Sequence, residues 1–188
     1  EKLAKLKPVF GYLHRNHEKI GENTSYLGNM PYTDRLDYFC SMTNNWAYAL
    51  SVEKLAGLHV PERAEYIRVI MDELTRIASH ELWWGAMAMD LGAFTPFFHA
   101  FRERESINDI MEETCGARLT MNYMVPGGVM YDIHPNFQRR VKDFITLFKS
   151  KIDEYNDLVT GNIIFQNRMK GVGKLSAEDA ISFGCTGP

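Results

Sequence analysis

PERAEYIRVIMDELTRIASHELWWGAMAMD, residues 61–90, is the stretch that decides the fold. Ile67, Ile70 and Met71, Leu74, Ile77 and Ala78, and Leu82 return every three to four residues, the period of one helix face. Pro61 stands where a helix-opening proline belongs. Arg68, Asp72 and Arg76 occupy another face at i, i+4 spacing, where opposite charges support a helix by about 0.2–0.5 kcal/mol per pair. From Leu82 to Met89 the polar face disappears. A helix that is amphipathic first and apolar all round later is expected to enter a core or a large interface.

The neighbouring segments are helical too. Residues 11–26 read as a first helix, ended by a loop with Gly28, Asn29 and Pro31. Residues 44–58 read as a second, apolar at Trp46, Ala49, Leu50 and Leu55. After the central element, Thr95-Pro96 is expected to cap and open a helix reaching about Arg118. Pro126-Gly127-Gly128 marks a turn. Residues 135–159 form a long amphipathic helix with Phe144, Leu147, Phe148, Ile152, Tyr155 and Leu158 on one side, stopped by Gly161. Ser176 caps a short last helix. Strand-like alternation is nearly absent, so the fold class is all-α, one helical domain over residues 1–188. Both ends read as cut, which makes the chain a fragment of a longer subunit.

Composition is that of an ordinary globular protein, with 45% apolar and 24% charged residues. A net charge of −3 and the lack of any Lys/Arg block give no case for nucleic acid. Cys40, Cys115 and Cys185 are far apart and odd in number, which argues against a disulfide framework and against a protein-built zinc site. Residues 82–101 are apolar but interrupted by Asp90, Gly92, Pro96 and His99. A mid-span carboxylate alone costs about 2.5–3.5 kcal/mol on insertion, so a membrane span is not expected there.

Three places could carry chemistry. Asp90 is the only acidic residue between Glu81 and Glu103 and lies among tryptophans, methionines and glycines. A carboxylate so embedded is expected to be paired, hydrogen-bonded or protonated. Its bland alternative is a helix-terminal Asp bonded to Thr95 or to backbone. His80, ten residues earlier and about 15 Å away along a straight helix, reads as a structural helix-face histidine more readily than as a functional one. Pro31-Tyr32-Thr33-Asp34-Arg35-Leu36-Asp37-Tyr38-Phe39-Cys40 sets two Tyr, two Asp, an Arg and a Cys where a loop meets a helix. These serve equally as caps and ion pairs or as a pocket for a flat, weakly polar ligand. Gly171-Val172-Gly173-Lys174 is not a phosphate loop, because Leu175 fills the Ser/Thr position and Arg168 the place of the first loop glycine. No His/Cys/Asp set has metal spacing.

Several phrases identify a family resemblance. Gly11-Tyr12-Leu13-His14-Arg15, Pro31-Tyr32-Thr33-Asp34-Arg35-Leu36-Asp37-Tyr38, Ala47-Tyr48-Ala49-Leu50-Ser51-Val52-Glu53-Lys54-Leu55 and Met89-Asp90-Leu91-Gly92-Ala93-Phe94-Thr95-Pro96-Phe97-Phe98 resemble the D subunit of bacterial NADH:quinone oxidoreductase, respiratory complex I. Phe101-Arg102-Glu103-Arg104-Glu105, Gly116-Ala117-Arg118, Pro126-Gly127-Gly128-Val129 and Ile152-Asp153-Glu154-Tyr155 extend the likeness, in order, over nearly all of residues 8–188. The resemblance implies the helical core of the fold shared with nickel–iron hydrogenase large subunits, without the N-terminal strands and the C-terminal segment. It implies a peripheral subunit on the cytoplasmic face of the bacterial plasma membrane that cups a quinone head group. NADH and the iron–sulfur clusters would be held in partner subunits, and this chain itself would bind no metal. Its partners would be the iron–sulfur subunit with the terminal cluster, other peripheral-arm subunits and a membrane-arm subunit at the quinone channel. The tyrosine that meets the quinone carbonyl falls on Tyr38, and the acid coupled to the quinone-site histidine falls on Asp90. Arg15 and Thr120 fall beside the partner's terminal cluster.

The chain also departs from the pattern. The family's His-Pro-x-x-His-Gly loop is absent, and Thr120 stands where many members carry a histidine. The hydrogenase relationship supplies an alternative, a membrane-bound hydrogenase large subunit or a metal-free relative. There Cys40 aligns with a metal-binding cysteine, but Asp37 replaces its partner, which weighs against a four-thiolate nickel–iron site.

Overall fold

A computed structural model describes residues 3–186. The described elements are α1 (His17–Glu22), α2 (Tyr26–Thr33), α3 (Ser41–Ala56), α4 (Glu62–Asp90), α5 (Thr95–Cys115), β1 (Met124–Val125), β2 (Gly128–Val129), α6 (Phe137–Tyr155), a π-helical turn (Asn156–Thr160), α7 (Ile163–Met169) and α8 (Ala177–Ser182). The chain is therefore mostly helical, as expected. Among the described residues, strand is confined to one hairpin of two strands, two residues each. No helix of the described residues is long and apolar enough to cross a membrane.

The central helix α4 runs for 29 residues, about 43 Å at 1.5 Å per residue. It packs chiefly on α5, to which residues 91–94 connect it. Gly85 lets the two helices approach: a Cβ there would meet Phe97 Cα at 3.0 Å and Ala100 Cβ at 3.3 Å. The core between α3, α4, α5, the hairpin and α6 contains Met42, Met71, Leu74, Ile107, Met111, Tyr123 and Phe144, all nearly or fully buried. Side chains of this size contribute about 1.5–3 kcal/mol each on burial. Glycines close two of these helices. Gly57 (φ +65) returns its N–H to Glu53 O, and Gly116 (φ +78) to Glu112 O, in the left-handed conformation that side chains resist.

The first helices differ from expectation. Residues 11–16 are not helical, with Tyr12, Arg15 and Asn16 at positive φ, and α1 covers only six residues. The stretch expected as a loop is α2, with Pro31 inside it. Ser25 caps it by accepting from Gly28 N (3.0 Å), and Met30 and Thr33 are buried. Pro31 removes one helical hydrogen bond, and the helix ends two residues later. At α5, Thr95 is the first helical residue and makes no side-chain cap, while Pro96 sits in the first turn. That helix ends at Cys115, short of Arg118, because Gly116 terminates it. On α6, Phe144 and Tyr155 are buried, whereas Leu147 and Ile152 stay nearly half exposed. Ser176 caps α8 as expected, accepting from Asp179 N at 3.0 Å.

The charged face of α4 is as expected at one pair, Arg76 donating to Asp72 Oδ2 at 2.9 Å across the i, i+4 spacing, and is corrected at Arg68. Arg68 and Asp72 point inward and are 0% and 3% exposed. Arg68 meets Glu53 of α3 at 2.5 Å and donates to Val125 O (2.8 Å) and Gly128 O (3.0 Å) of the hairpin. Gly127 N also donates to Glu53 (2.8 Å). Pro126 and Gly127 (φ +96) occupy the two central turn positions as a type II turn requires. One buried ion pair thus pins the hairpin onto two helices.

Candidate functional site

The loop over residues 34–40 joins α2 to α3 and is held at both ends. Asp34 is fully buried, and its Oδ2 accepts from Asn122 N at 3.0 Å. Burial pushes its carboxyl up to about 6, against the opposing pull of the Asn122 N–H and of Arg35. At the other end Ser41 Oγ donates to Leu119 O (2.8 Å). Asp37 closes the turn between them, its Oδ1 accepting from Phe39 N at 3.2 Å. Burial pushes the Cys40 thiol up, with Asp37 and Asp72 adding to the shift.

Tyr38 sits on this anchored loop with half its surface exposed, 52%. Its ring packs edge-on against Phe39, centroids 4.8 Å apart. Tyr32, in α2, is also exposed. The tertiary structure brings Thr120 to the same loop, since Leu119 and Asn122 on either side of it bond to Ser41 and Asp34. Thr120 is half-buried. Arg15 is exposed in the irregular segment before α1, with φ +52.

Asp90 corrects an expectation. It is exposed, not embedded, at the last residue of α4. Glu81, Gly85 and Ala88 mark the buried stripe of that helix, and two residues past Ala88 the helix has turned about 200°, onto the opposite side. The following turn is ordered: Gly92 (φ +93) donates to Met89 O at 2.9 Å, and Arg168 of α7 reaches Leu91 O at 2.8 Å. His80 is exposed as well.

The embedded carboxylate is Glu81, just before the apolar run. It is 3% exposed, as is Glu103 of α5. Neither oxygen of Glu81 accepts a hydrogen bond among the described residues. Burial first, then the charge of Glu103, pushes its carboxyl up to about 8, against the pull of Arg104. Glu103 instead accepts from Arg102 Nε at 3.0 Å and lies 4.0 Å from Lys151 Nζ. Arg104 is buried, its guanidinium 5.8 Å from the Phe39 ring centroid and 5.6 Å from that of Phe101. This cluster escaped sequence reading, although a signal exists: Met71, Leu74, Ala78, Glu81, Gly85 and Ala88 share one helical phase. Among the described residues no group of three or more His, Cys, Asp or Glu is placed to hold a metal.

The family described as "Respiratory-chain NADH dehydrogenase, 49 Kd subunit" matches residues 90–188. The C/D subunit of NADH-quinone oxidoreductase from Bacteroides thetaiotaomicron is 56% identical over 187 residues, covering all of this chain and 35% of that one. The D subunits of NADH-quinone oxidoreductase from Bacillus cytotoxicus and Bacillus anthracis are 50% and 51% identical, again across all of this chain and 51% of theirs. The chain spans about half the length of these Bacillus relatives and about a third of the Bacteroides one.

Proposed function

Because the chain belongs to the family of the 49 kDa subunit of respiratory-chain NADH dehydrogenase, we propose that it is the helical part of the quinone-site subunit of a proton-translocating NADH:quinone oxidoreductase. In this reading it is one helical domain of a longer subunit, with the hydrogenase-large-subunit-like fold. The subunit sits peripherally on the cytoplasmic face of the bacterial plasma membrane. It meets an iron–sulfur subunit with the terminal cluster, other peripheral-arm subunits and a membrane-arm subunit. NADH and the clusters belong to those partners.

The observation that carries the reading is the Tyr38 loop. Its backbone is anchored through Asp34 and Ser41, while the Tyr38 side chain is left exposed. A phenol hydroxyl fixed in this way donates a hydrogen bond to one quinone carbonyl and stabilises the charge that develops there on reduction. Holding the donor in advance means little reorganisation when that charge appears. Asp90, exposed at the end of α4, is assigned as the carboxylate that takes up and returns a proton beside the quinone-site histidine. Arg15 and Thr120 are assigned to the side facing the partner's terminal cluster. Thr120 fits such a place, since its segment is fastened to the Tyr38 loop.

The alternative, a hydrogenase large subunit, has less support from the donor set. Asp37 closes its own turn, where a four-thiolate site needs a second sulfur beside Cys40.

Tyr38→Phe in the assembled enzyme tests the reading. Assembly and NADH oxidation by artificial acceptors should persist, because the hydroxyl supports nothing in the core. Quinone reduction should fall about 100-fold or more, the scale of one lost donor at a developing charge. Wild-type quinone reduction by Tyr38→Phe would remove Tyr38 from the site.

A further inference from the structure

We propose that Glu81 is a proton-holding residue set behind the Tyr38 loop, and that Arg104 couples its protonation to that loop. The proposal rests on the quinone-site reading of the loop.

Two buried carboxylates, Glu81 and Glu103, face one another's charge across the α4–α5 contact. Like charges in a water-poor interior cannot both ionise freely, so the pair retains a proton. Hydrogen bonding decides where. Glu103 takes both its oxygens to Arg102 Nε (3.0 and 3.1 Å) and has Lys151 nearby. Among the described residues Glu81 has no such partner. The proton therefore resides on Glu81, in agreement with the upward shift that burial and Glu103 impose on it.

The surroundings provide both a coupling and a route. Arg104 attracts the Glu81 carboxylate, and its guanidinium lies over Phe39, the residue next to Tyr38. Its Nε is buried without a partner among the described residues. From α6, the Tyr155 hydroxyl is buried and has no partner among the described residues; its proton is held more tightly than usual by burial and by the charges of Glu81 and Glu103. Lys151 and Glu154 lie on the same helix, and His99 of α5 bonds Glu154 at 2.7 Å. On α4 itself His80 is adjacent. A cavity of about 780 Å³, lined in part by Ser79, His80, Glu81 and Tyr155, opens beside the carboxyl group.

Negative charge developing in front of the loop draws on the positive charge of Arg104 and leaves less of it for Glu81. The ionised fraction of Glu81 then binds a proton arriving through the cavity, forming one O–H bond and no other. By linkage the effect is reciprocal: a protonated Glu81 favours negative charge at the loop.

The test uses the assembled enzyme with Glu81→Gln, which keeps shape and cannot ionise, and with Arg104→Gln. The readouts are the pH profile of quinone reduction between about pH 6 and pH 9 and the infrared band of a protonated carboxyl group in redox difference spectra. Glu81 passes from roughly one-tenth to nine-tenths ionised between about pH 7 and pH 9, so the wild-type profile should bend there. Glu81→Gln should lose both bend and band. Arg104→Gln, which removes the opposing positive charge, should move the bend to higher pH. Survival of bend and band in Glu81→Gln, or an unmoved bend in Arg104→Gln, overturns the proposal. Tyr38→Phe separates it from the reading beneath. If that variant reduces quinone normally while Glu81→Gln still loses the band, Glu81 holds a proton but not for this loop. If Tyr38→Phe is impaired and Glu81→Gln is unaltered, the quinone-site reading stands alone.

Discussion

Removing Arg68 should be severely destabilising. In Arg68→Met a side chain of comparable length stays in place, but the partner Glu53, itself 5% exposed, is left with the Gly127 N–H alone. Breaking a buried pair from one side costs about 3–5 kcal/mol. Val125 O and Gly128 O lose their donor, at about 1 kcal/mol each. The total, about 5 kcal/mol or more, is comparable with the lower end of the roughly 5–15 kcal/mol that hold a domain together. At about 2–4 °C per kcal/mol for a chain of this size, the melting temperature should drop by about 10–20 °C. The loss should also depend on pH. In the wild type, burial works to raise the Glu53 carboxyl, but the Arg68 hydrogen bonds, the Gly127 N–H and the Arg68 charge hold it below its ordinary value. A carboxyl depressed in the folded state contributes stability above its unfolded value, near pH 4.5, that is lost as pH falls through the folded value. Without Arg68, burial prevails and the carboxyl moves above its unfolded value. Its contribution then reverses, and stability falls as pH rises. The gap between variant and wild type should therefore widen from about pH 5 to pH 8. Adding Glu53→Gln removes the stranded charge and should recover about 2 kcal/mol at pH 8. The assay is thermal unfolding of the full-length subunit at both pH values. A melting temperature within about 3 °C of wild type, near 1 kcal/mol, or a gap independent of pH, would refute the argument.

Two further outcomes follow from other contacts. Gly85→Ala places a methyl group 3.0 Å from Phe97 Cα; overpacking of about 1–3 kcal/mol should outweigh the ~1 kcal/mol gained in helix propensity, and a raised melting temperature would show that the α4–α5 contact yields. On the proposed placement of Thr120 beside the partner's terminal cluster, its hydroxyl can donate a hydrogen bond but does not titrate, so that cluster should have a low and nearly pH-independent potential, whereas Thr120→His should raise it and couple it to a proton; a redox titration at several pH values checks this, and a wild-type slope of about 60 mV per pH unit would mean that another group already supplies the proton.

The periodicity of residues 61–90, the amphipathic pattern of residues 135–159 and the Ser176 cap suffice to read the long helices and the class of the fold. These features are local: each depends on side chains within one or two turns. The same locality explains the misreadings. Gly28, Asn29 and Pro31 prefer a loop, yet burial of Met30 and Thr33 keeps them helical. Arg68 and Asp72 look like a wet face until Glu53, Thr43 and the hairpin, 15 to 60 residues away, supply their partners. Tyr38 could be singled out from its neighbours and the family resemblance, but the anchors that expose it come from Leu119 and Asn122. Asp90 stands out in the sequence because its neighbours are apolar. Whether a carboxylate is buried depends instead on the side of the helix it occupies and on what packs there, and that condition is met by Glu81. Helix formation is a short-range property that the chain carries in its own order; the state of a charge is set by the dielectric and the partners around it, which only the folded arrangement of α4, α5 and α6 provides.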